Sequence, residues 1–218
     1  MSSRFLPAIL IYFSAINFVL ASETEEVISV ASYIESSELN ASPVDIISSE
    51  EFKDLRVSTV AELSKYLSVS SGSHFQTNAL DGVDQGMSSI TLRGLDHAST
   101  LVLINKKRQT HSGTPSHEGE GYIDVNIIPE IALERIEILK DGATSLYGSD
   151  AVAGVINFHT YHAFDGLRVS VSSQKTSNYN QTDNSLGALY GGNAFDGNFV
   201  VALSALNRSP LNASEIPK

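Results

Sequence analysis

Cysteine is absent from these 218 residues, which excludes thiolate metal sites, thiol nucleophiles and disulfides. That absence suits a cytoplasmic or a periplasmic protein equally. Basic charge is scarce: 14 Lys and Arg face 25 Asp and Glu, for a formal net charge of −11 and a pI of about 4.9. Such a balance argues against nucleic-acid binding, which needs a basic footprint. It otherwise describes a solvated acidic surface. Mean hydropathy is −0.01, and no 18-residue apolar run follows the N-terminal segment, which argues against a helical membrane protein. Enzyme signatures are missing as well. The glycines of residues 142–149 lack the Gly-Lys-Ser/Thr ending of a P-loop, and no Gly-x-Ser-x-Gly elbow occurs. No catalytic residue and no cofactor is assigned.

The N-terminus addresses the compartment. Arg4 is a minimal positive start, residues 5–20 are mostly apolar, and Val19-Leu20-Ala21 ends on a small residue. The acidic run Glu23-Thr24-Glu25-Glu26 stops any span. Residues 1–21 therefore read as a secretory signal peptide. Residues 22–42 are rich in Ser and Glu and read as flexible, with one β-prone patch at Val27-Ile28-Ser29-Val30.

The folded part is expected from residue 43. Val44-Asp45-Ile46-Ile47 reads as a strand. Ser48 with Glu51, and again Thr59 with Glu62, match the capping-box pattern that starts a helix. Val60, Leu63 and Leu67 would share one helical face. Residues 70–88 and 106–121 read as long polar loops. Between them Ile90-Thr91-Leu92-Arg93-Gly94 is a short strand and turn, and residues 100–105 are a buried strand. Residues 123–128 return to the core, and Pro129 is placed to start a short helix.

Residues 129–160 carry the densest pattern. Arg135-Ile136-Glu137-Ile138-Leu139 alternates as a half-buried strand does, with Glu134 and Glu137 as ion-pair partners on its polar face. Asp141-Gly142 can supply the positive φ of a turn. Leu146-Tyr147-Gly148, Ala151 and Gly154 make a segment of little bulk that a neighbouring wall can approach. Val155-Ile156-Asn157-Phe158 reads as another strand.

Beyond residue 164 the pattern changes. Leu167, Val169 and Val171 alternate with Arg168, Ser170 and Ser172, and Phe199, Val201, Leu203 and Ala205 alternate with Asn198, Val200, Ala202 and Ser204. Segment 185–191 alternates less cleanly. Transmembrane barrel strands read this way, and so does a soluble β-sandwich. Three strands cannot close a barrel, and open edges are not tolerated in hydrocarbon.

Several separated blocks agree in order and spacing with one family. Thr59-Val60-Ala61-Glu62-Leu63, Leu92-Arg93-Gly94, Glu134-Arg135-Ile136-Glu137, Asp141-Gly142, Leu146-Tyr147-Gly148 and Gly154-Val155-Ile156-Asn157 together resemble the plug of TonB-dependent outer-membrane receptors. Asn105-Lys106-Lys107-Arg108 departs from it: Lys106 stands where the family has glycine, so the tight turn there is expected to differ. The resemblance implies an α+β plug domain, a small mixed sheet with short helices, over residues 43–163. The first antiparallel strands of a transmembrane β-barrel, incomplete, follow over residues 164–218. It implies an N-terminal fragment of a receptor in the cell outer membrane, in contact with outer-membrane lipid. The absence of a terminal aromatic residue at Lys218 fits that expectation.

The same resemblance implies function. Thr24, Glu25, Glu26, Val27, Ile28, Ser29 and Val30 match the TonB box, which the C-terminal domain of TonB would pair with by strand addition. Arg93, Glu134, Arg135 and Glu137 would face charges on the barrel wall. His74, Phe75, Gln76, Arg108, His111 and His117, on the two polar loops, would meet an extracellular small molecule or metal chelate. That substrate would be a scarce nutrient such as siderophore-iron, haem, cobalamin or a glycan. His111, His117 and Glu118, with His74 and His97, match no zinc spacing, and no metal is assigned. Two other readings stay open: a passive outer-membrane channel, and a soluble periplasmic binding module.

Overall fold

In the computed structural model, residues 44–71, 73, 86–116, 119–175, 181–194 and 197–210 are described. The segment read as a signal peptide, the TonB-box-like patch and residues 74–85 of the loop expected at 70–88 lie outside them.

Two sheets organise the described chain. The first has five strands: β1 (Val44–Ser48), β2 (Thr100–Ile104), β3 (Lys107–Arg108), β4 (Leu133–Leu139) and β5 (Gly154–Thr160), in the order β1-β4-β5-β2-β3. It is mixed, since β2 runs parallel to β5 and every other pair is antiparallel. The second is an antiparallel meander of β6 (Gly166–Lys175), β7 (Thr182–Ala194) and β8 (Gly197–Arg208).

The expected half-buried strand at β4 is buried on both faces. Ile136 and Ile138 join one apolar cluster with Val102, Ile156, Phe158, Val60 and Leu63. Leu139 joins a second with Leu101, Leu103, Val155 and Tyr147. A sheet covered on both sides hides both sets of alternating side chains, so Glu137 is buried too. Phe158 is fully buried, and truncating such a side chain to alanine costs about 3–5 kcal/mol. Leu133 and Ile136 share the first cluster although they are three apart. A bulge between Leu133 and Arg135 inserts one residue and restores their parity.

The helices are shorter than the pattern suggests. Ser48 caps α1 (Ser49–Asp54), its Oγ accepting from Glu51 N at 3.2 Å. The second capping box takes a different form. Thr59 makes no side-chain cap bond, and Val60–Lys65 is a 3-10 helix. Glu62 instead reaches back to Ser58, whose N–H donates to Oε2 at 2.9 Å. Ile90 to Gly94 forms an isolated bridge between Leu92 and Ser70 rather than a full strand. Pro129 stands at the N-cap of a single 3-10 turn, Glu130–Ala132.

Two turns differ from expectation in instructive ways. Asp141 and Gly142 do not adopt positive φ. Gly142 is close-packed instead, because a Cβ there would lie 3.0 Å from the Val152 carbonyl oxygen. Asn105 and Lys106 do adopt positive φ, 51° and 65°. The β2–β3 hairpin thus keeps the tight two-residue turn with no glycine in it. Asn105 is held by Thr160, which donates N–H to Oδ1 at 2.9 Å. The Lys106 N–H donates to Asn157 Oδ1 at 3.0 Å.

Candidate functional site

The meander has two chemically distinct faces. Leu167, Tyr190 and Val201 stand opposite one another across the three strands, as do Val169, Ala188 and Leu203, and then Val171, Leu186 and Ala205. The large residues among them are exposed, Val171 to 77 %. Large apolar rows facing outward over three adjacent strands suit hydrocarbon rather than water. Among the described residues no helix is long and apolar enough to cross a membrane, which leaves strands untouched.

The other face carries Arg168, Ser170, Ser172, Gln174, Asp183, Ser185, Gly187, Ser204 and Arg208, and the five-stranded unit packs against it. The turn Glu130–Ala132 sits over Gly187, where an added Cβ would come within 3.2 Å of Ile131 Cδ1 and 3.3 Å of Glu130 Oε1. A missing side chain lets the plug-like unit approach the wall there. Arg168 Nη1 donates to the Tyr161 hydroxyl at 3.0 Å, which donates to Ser49 Oγ at 3.1 Å. Gln174 Nε2 donates to the Arg56 carbonyl at 2.6 Å. Arg208 bridges Asp183 on the wall and Glu62 on the 3-10 helix.

The loop that begins at β3 is folded back on itself. Ser112 N–H donates to the Tyr122 carbonyl at 2.8 Å, and Ser116 N–H to Glu120 at 2.8 Å. Arg108 crosses from β3 to the α2 segment (Thr144–Tyr147), donating to the Tyr147 carbonyl and pairing with Asp150 Oδ2 at 2.6 Å. The Asp150 carboxyl is held below the ordinary carboxylate range, chiefly by the Ser149 hydroxyl and further by Arg108 and the field of His111. His111 lies over Gly121, where a Cβ would be 2.6 Å from Nδ1. Lys106, Lys107, Arg108 and His111 are all exposed along this edge. Arg108 therefore stands on strand β3, where a loop was expected from residue 106, and His111 lies in the loop that follows it. His74, Phe75, Gln76 and His117 lie outside the described residues.

The four expected wall-facing charges find partners inside the first unit. Arg93 adopts φ 58° and directs Nη2 toward the Val152 carbonyl at 3.5 Å, the outer limit of a hydrogen bond. Glu134 lies 3.9 Å from Arg135, and Arg135 Nε is 3.1 Å from Glu137 Oε1. His159 Nε2 is also 3.1 Å from that oxygen. Sequence reading missed His159, since only the β4–β5 register brings it opposite Arg135. It also missed Glu62, Asp183 and Arg208, which are 146 residues apart at the extremes and carry no local signal. Among the described residues no cluster of three or more His, Asp or Glu is arranged to hold a metal ion.

Comparison with known proteins is consistent from several sides. The family model described as TonB-dependent Receptor Plug Domain matches residues 37–155. The iron-regulated outer membrane virulence protein of Vibrio cholerae is 43% identical over 72 residues, 33% of this chain and 11% of that protein. The vitamin B12 transporter BtuB of Vibrio vulnificus is 32% identical over 60% of this chain and 19% of its own length. The ferric enterobactin receptor PirA of Pseudomonas aeruginosa is 30% identical over 62% of this chain and 19% of its own length. Among solved structures, the siderophore receptor PirA of Acinetobacter baumannii aligns with TM-score 0.56 at 25% identity, covering 75% of this chain and 24% of that one. This chain thus spans at most about a fifth of those curated relatives.

Proposed function

Because the chain belongs to the TonB-dependent receptor plug domain family and is a protein of the cell outer membrane, we propose that it works in the energy-coupled uptake of a scarce nutrient of the siderophore-iron or cobalamin class. The observation that carries this reading is the packing of residues 44–160 on the polar face of strands whose other face is apolar. A wall of that kind needs closure to sit in a bilayer, and β6 to β8 supply three adjacent strands of it. Barrels of this type join strands by short turns on the periplasmic side and longer loops outside. The end of the meander at Ala194 and Gly197 then faces the periplasm, and the end at Lys175 and Thr182 faces outward.

Substrate meets the loops at residues 74–87 and 106–121, through His74, Phe75, Gln76, Arg108, His111 and His117. The exposed cations at Lys107 and Arg108 suit an anionic chelate, since charge-assisted contacts favour such a ligand. Relatives named for ferric enterobactin and for vitamin B12 support the class without choosing within it. Residues 24–30 then pair with the C-terminal domain of TonB, main-chain hydrogen bonds giving the affinity. Of the four charges expected to meet the barrel, Arg93 and Glu134 keep solvent-accessible side chains for the remaining wall, whereas Arg135 and Glu137 are paired with each other inside the sheet.

The test is binding of the mature chain to the TonB C-terminal domain, wild type against Val27→Pro with Ile28→Pro. Proline removes main-chain donors and resists strand pairing. Binding lost in the double variant supports the coupled receptor. Equal binding, or none by either, sinks it.

A further inference from the structure

The ties between wall and plug differ in kind. Arg168 and Gln174 reach neutral groups, whereas Arg208 reaches a carboxylate. On the wall, Asp183 and Arg208 stand directly opposite in the β7–β8 register. Asp183 Oδ2 takes Arg208 Nε at 2.8 Å and Nη2 at 2.6 Å. That fork fixes the guanidinium, and Nη2 then lies 3.1 Å from Glu62 Oε1 on the plug. Glu62 is itself nearly buried at 8 % exposure, its second oxygen taking the Ser58 N–H and its first lying 3.7 Å from Lys65. A guanidinium shared by two carboxylates from two structural units resists separation of those units.

Beside this triad the seam is poorly filled. A cavity of about 180 Å³ lies between Ser58, Asn126 and Glu130 on the plug and Ser185, Ser204 and Leu206 on the wall. Ser58 Oγ and Asn126 Oδ1, both in that lining, find no partner among the described residues. Apolar packing therefore contributes little at this point of the interface, and the charges supply the hold.

We propose that Glu62, Asp183 and Arg208 form a clasp that fastens plug residues 58–65 to the barrel wall, and that opening it frees this half of the plug. The proposal rests on the reading of residues 166–208 as barrel wall. The wall pair forms through Asp183 Oδ2 alone, with no group from the plug, so Glu62 is the removable member. Glu62→Gln keeps an acceptor for Ser58 N–H, leaves Arg208 paired with Asp183, and deletes the charge that crosses the seam together with the longer, half-exposed contact to Lys65.

The experiment reconstitutes the full-length receptor in planar lipid bilayers and follows ion conductance as urea displaces the plug from the lumen. Glu62→Gln is expected to conduct at lower urea. At a concentration where wild type barely conducts, its open fraction should rise on the order of tenfold, as for other partly desolvated interfacial charge pairs. Arg208→Gln should do the same, and the double variant should add nothing beyond the larger single effect. Lys140→Gln, which breaks the Lys140–Asp45 pair within the plug, should leave the threshold unchanged. An unchanged threshold in Glu62→Gln, or additive effects in the double variant, overturns the clasp. If Arg208→Gln fails to assemble, Glu62→Gln against wild type and Lys140→Gln decides alone. No TonB and no substrate enter this assay. A clasp that loosens as expected beside absent TonB binding would therefore refute the uptake reading and leave the clasp standing.

Discussion

Nε2 of His159 lies 3.1 Å from Oε1 of Glu137, and the two residues are 4 % and 0 % exposed. The same oxygen receives Arg135 Nε at 3.1 Å. Glu137→Ala would remove the acceptor that Arg135 and His159 share, leaving Arg135 with Glu134 at 3.9 Å and His159 with Asn157 at 2.7 Å. The expected loss is about 3–5 kcal/mol of stability, the cost of breaking a buried pair from one side. Glu137→Gln should lose less. Urea unfolding followed by circular dichroism measures both, and an alanine variant within about 1 kcal/mol of wild type would contradict the role given to this carboxylate.

The turn at Asn105 and Lys106 yields a stabilising substitution. A side chain in the left-handed region costs roughly 1–2 kcal/mol, and Lys106 is exposed at φ 65°. Lys106→Gly should stabilise the chain by about 0.5–1 kcal/mol after the flexibility glycine adds to the unfolded state. Asn105→Gly should destabilise, since Thr160 loses its acceptor. Denaturant midpoints give both signs.

Asp150 and Glu130 shift in opposite directions, so their pH dependences oppose. The folded Asp150 carboxyl is depressed below its unfolded value of 3.8, chiefly by Ser149. Its contribution is present above that value and is lost as pH falls through the folded pKa. Asp150→Asn should therefore flatten the acid limb of stability.

Glu130 is raised above its unfolded value of 4.5 by desolvation against the wall. Folding then favours the protonated acid. Stability should decline as pH rises from 4.5 through the folded pKa, and Glu130→Gln should remove that decline. A Gln variant that shows the same slope would assign it to another group.

The outer face separates a membrane wall from a soluble sandwich. Leu203→Arg, in the middle row of apolar residues, should cost about 2–4 kcal/mol in a bilayer if that row lies near the midplane. Ser204→Arg, one residue on and facing inward, should be tolerated better by the lipid contact. Folding yields into lipid vesicles read the difference, and equal yields would argue against lipid on that face.

Most of the architecture was readable because its signals are local. The Ser48 cap, the apolar run at residues 100–104 and the alternation after residue 166 each depend on a few neighbouring residues. The misses are non-local. Burial of Glu137 requires knowing that β4 lies between β1 and β5 with both faces covered. The bulge at Glu134 appears only against its partner strand. The capping pattern at Thr59 was real chemistry with the wrong acceptor arrangement, because Glu62 is drawn to Ser58 and Arg208 at once. In the candidate site, His111 lies on the loop expected there but Arg108 lies on strand β3, and the Asp150 and Tyr147 contacts that fix Arg108 come from some forty residues away.

The strand order carries a kinetic consequence. β1 is the first described strand of the chain, and its hydrogen-bonding partner is β4, with Val44 opposite Leu139 and Ser48 opposite Arg135. The chain is made and exported from its N-terminus, so β1 emerges with nothing to pair with until some ninety residues more have followed. Closing so long a loop is entropically slow, and sheets dominated by distant pairings assemble late. In that interval Val44, Ile46 and Ile47 offer an unpaired apolar strand, which is a hazard for aggregation. A holding chaperone that delays collapse of this segment would raise the yield of the assembled protein without changing any contact in the finished sheet.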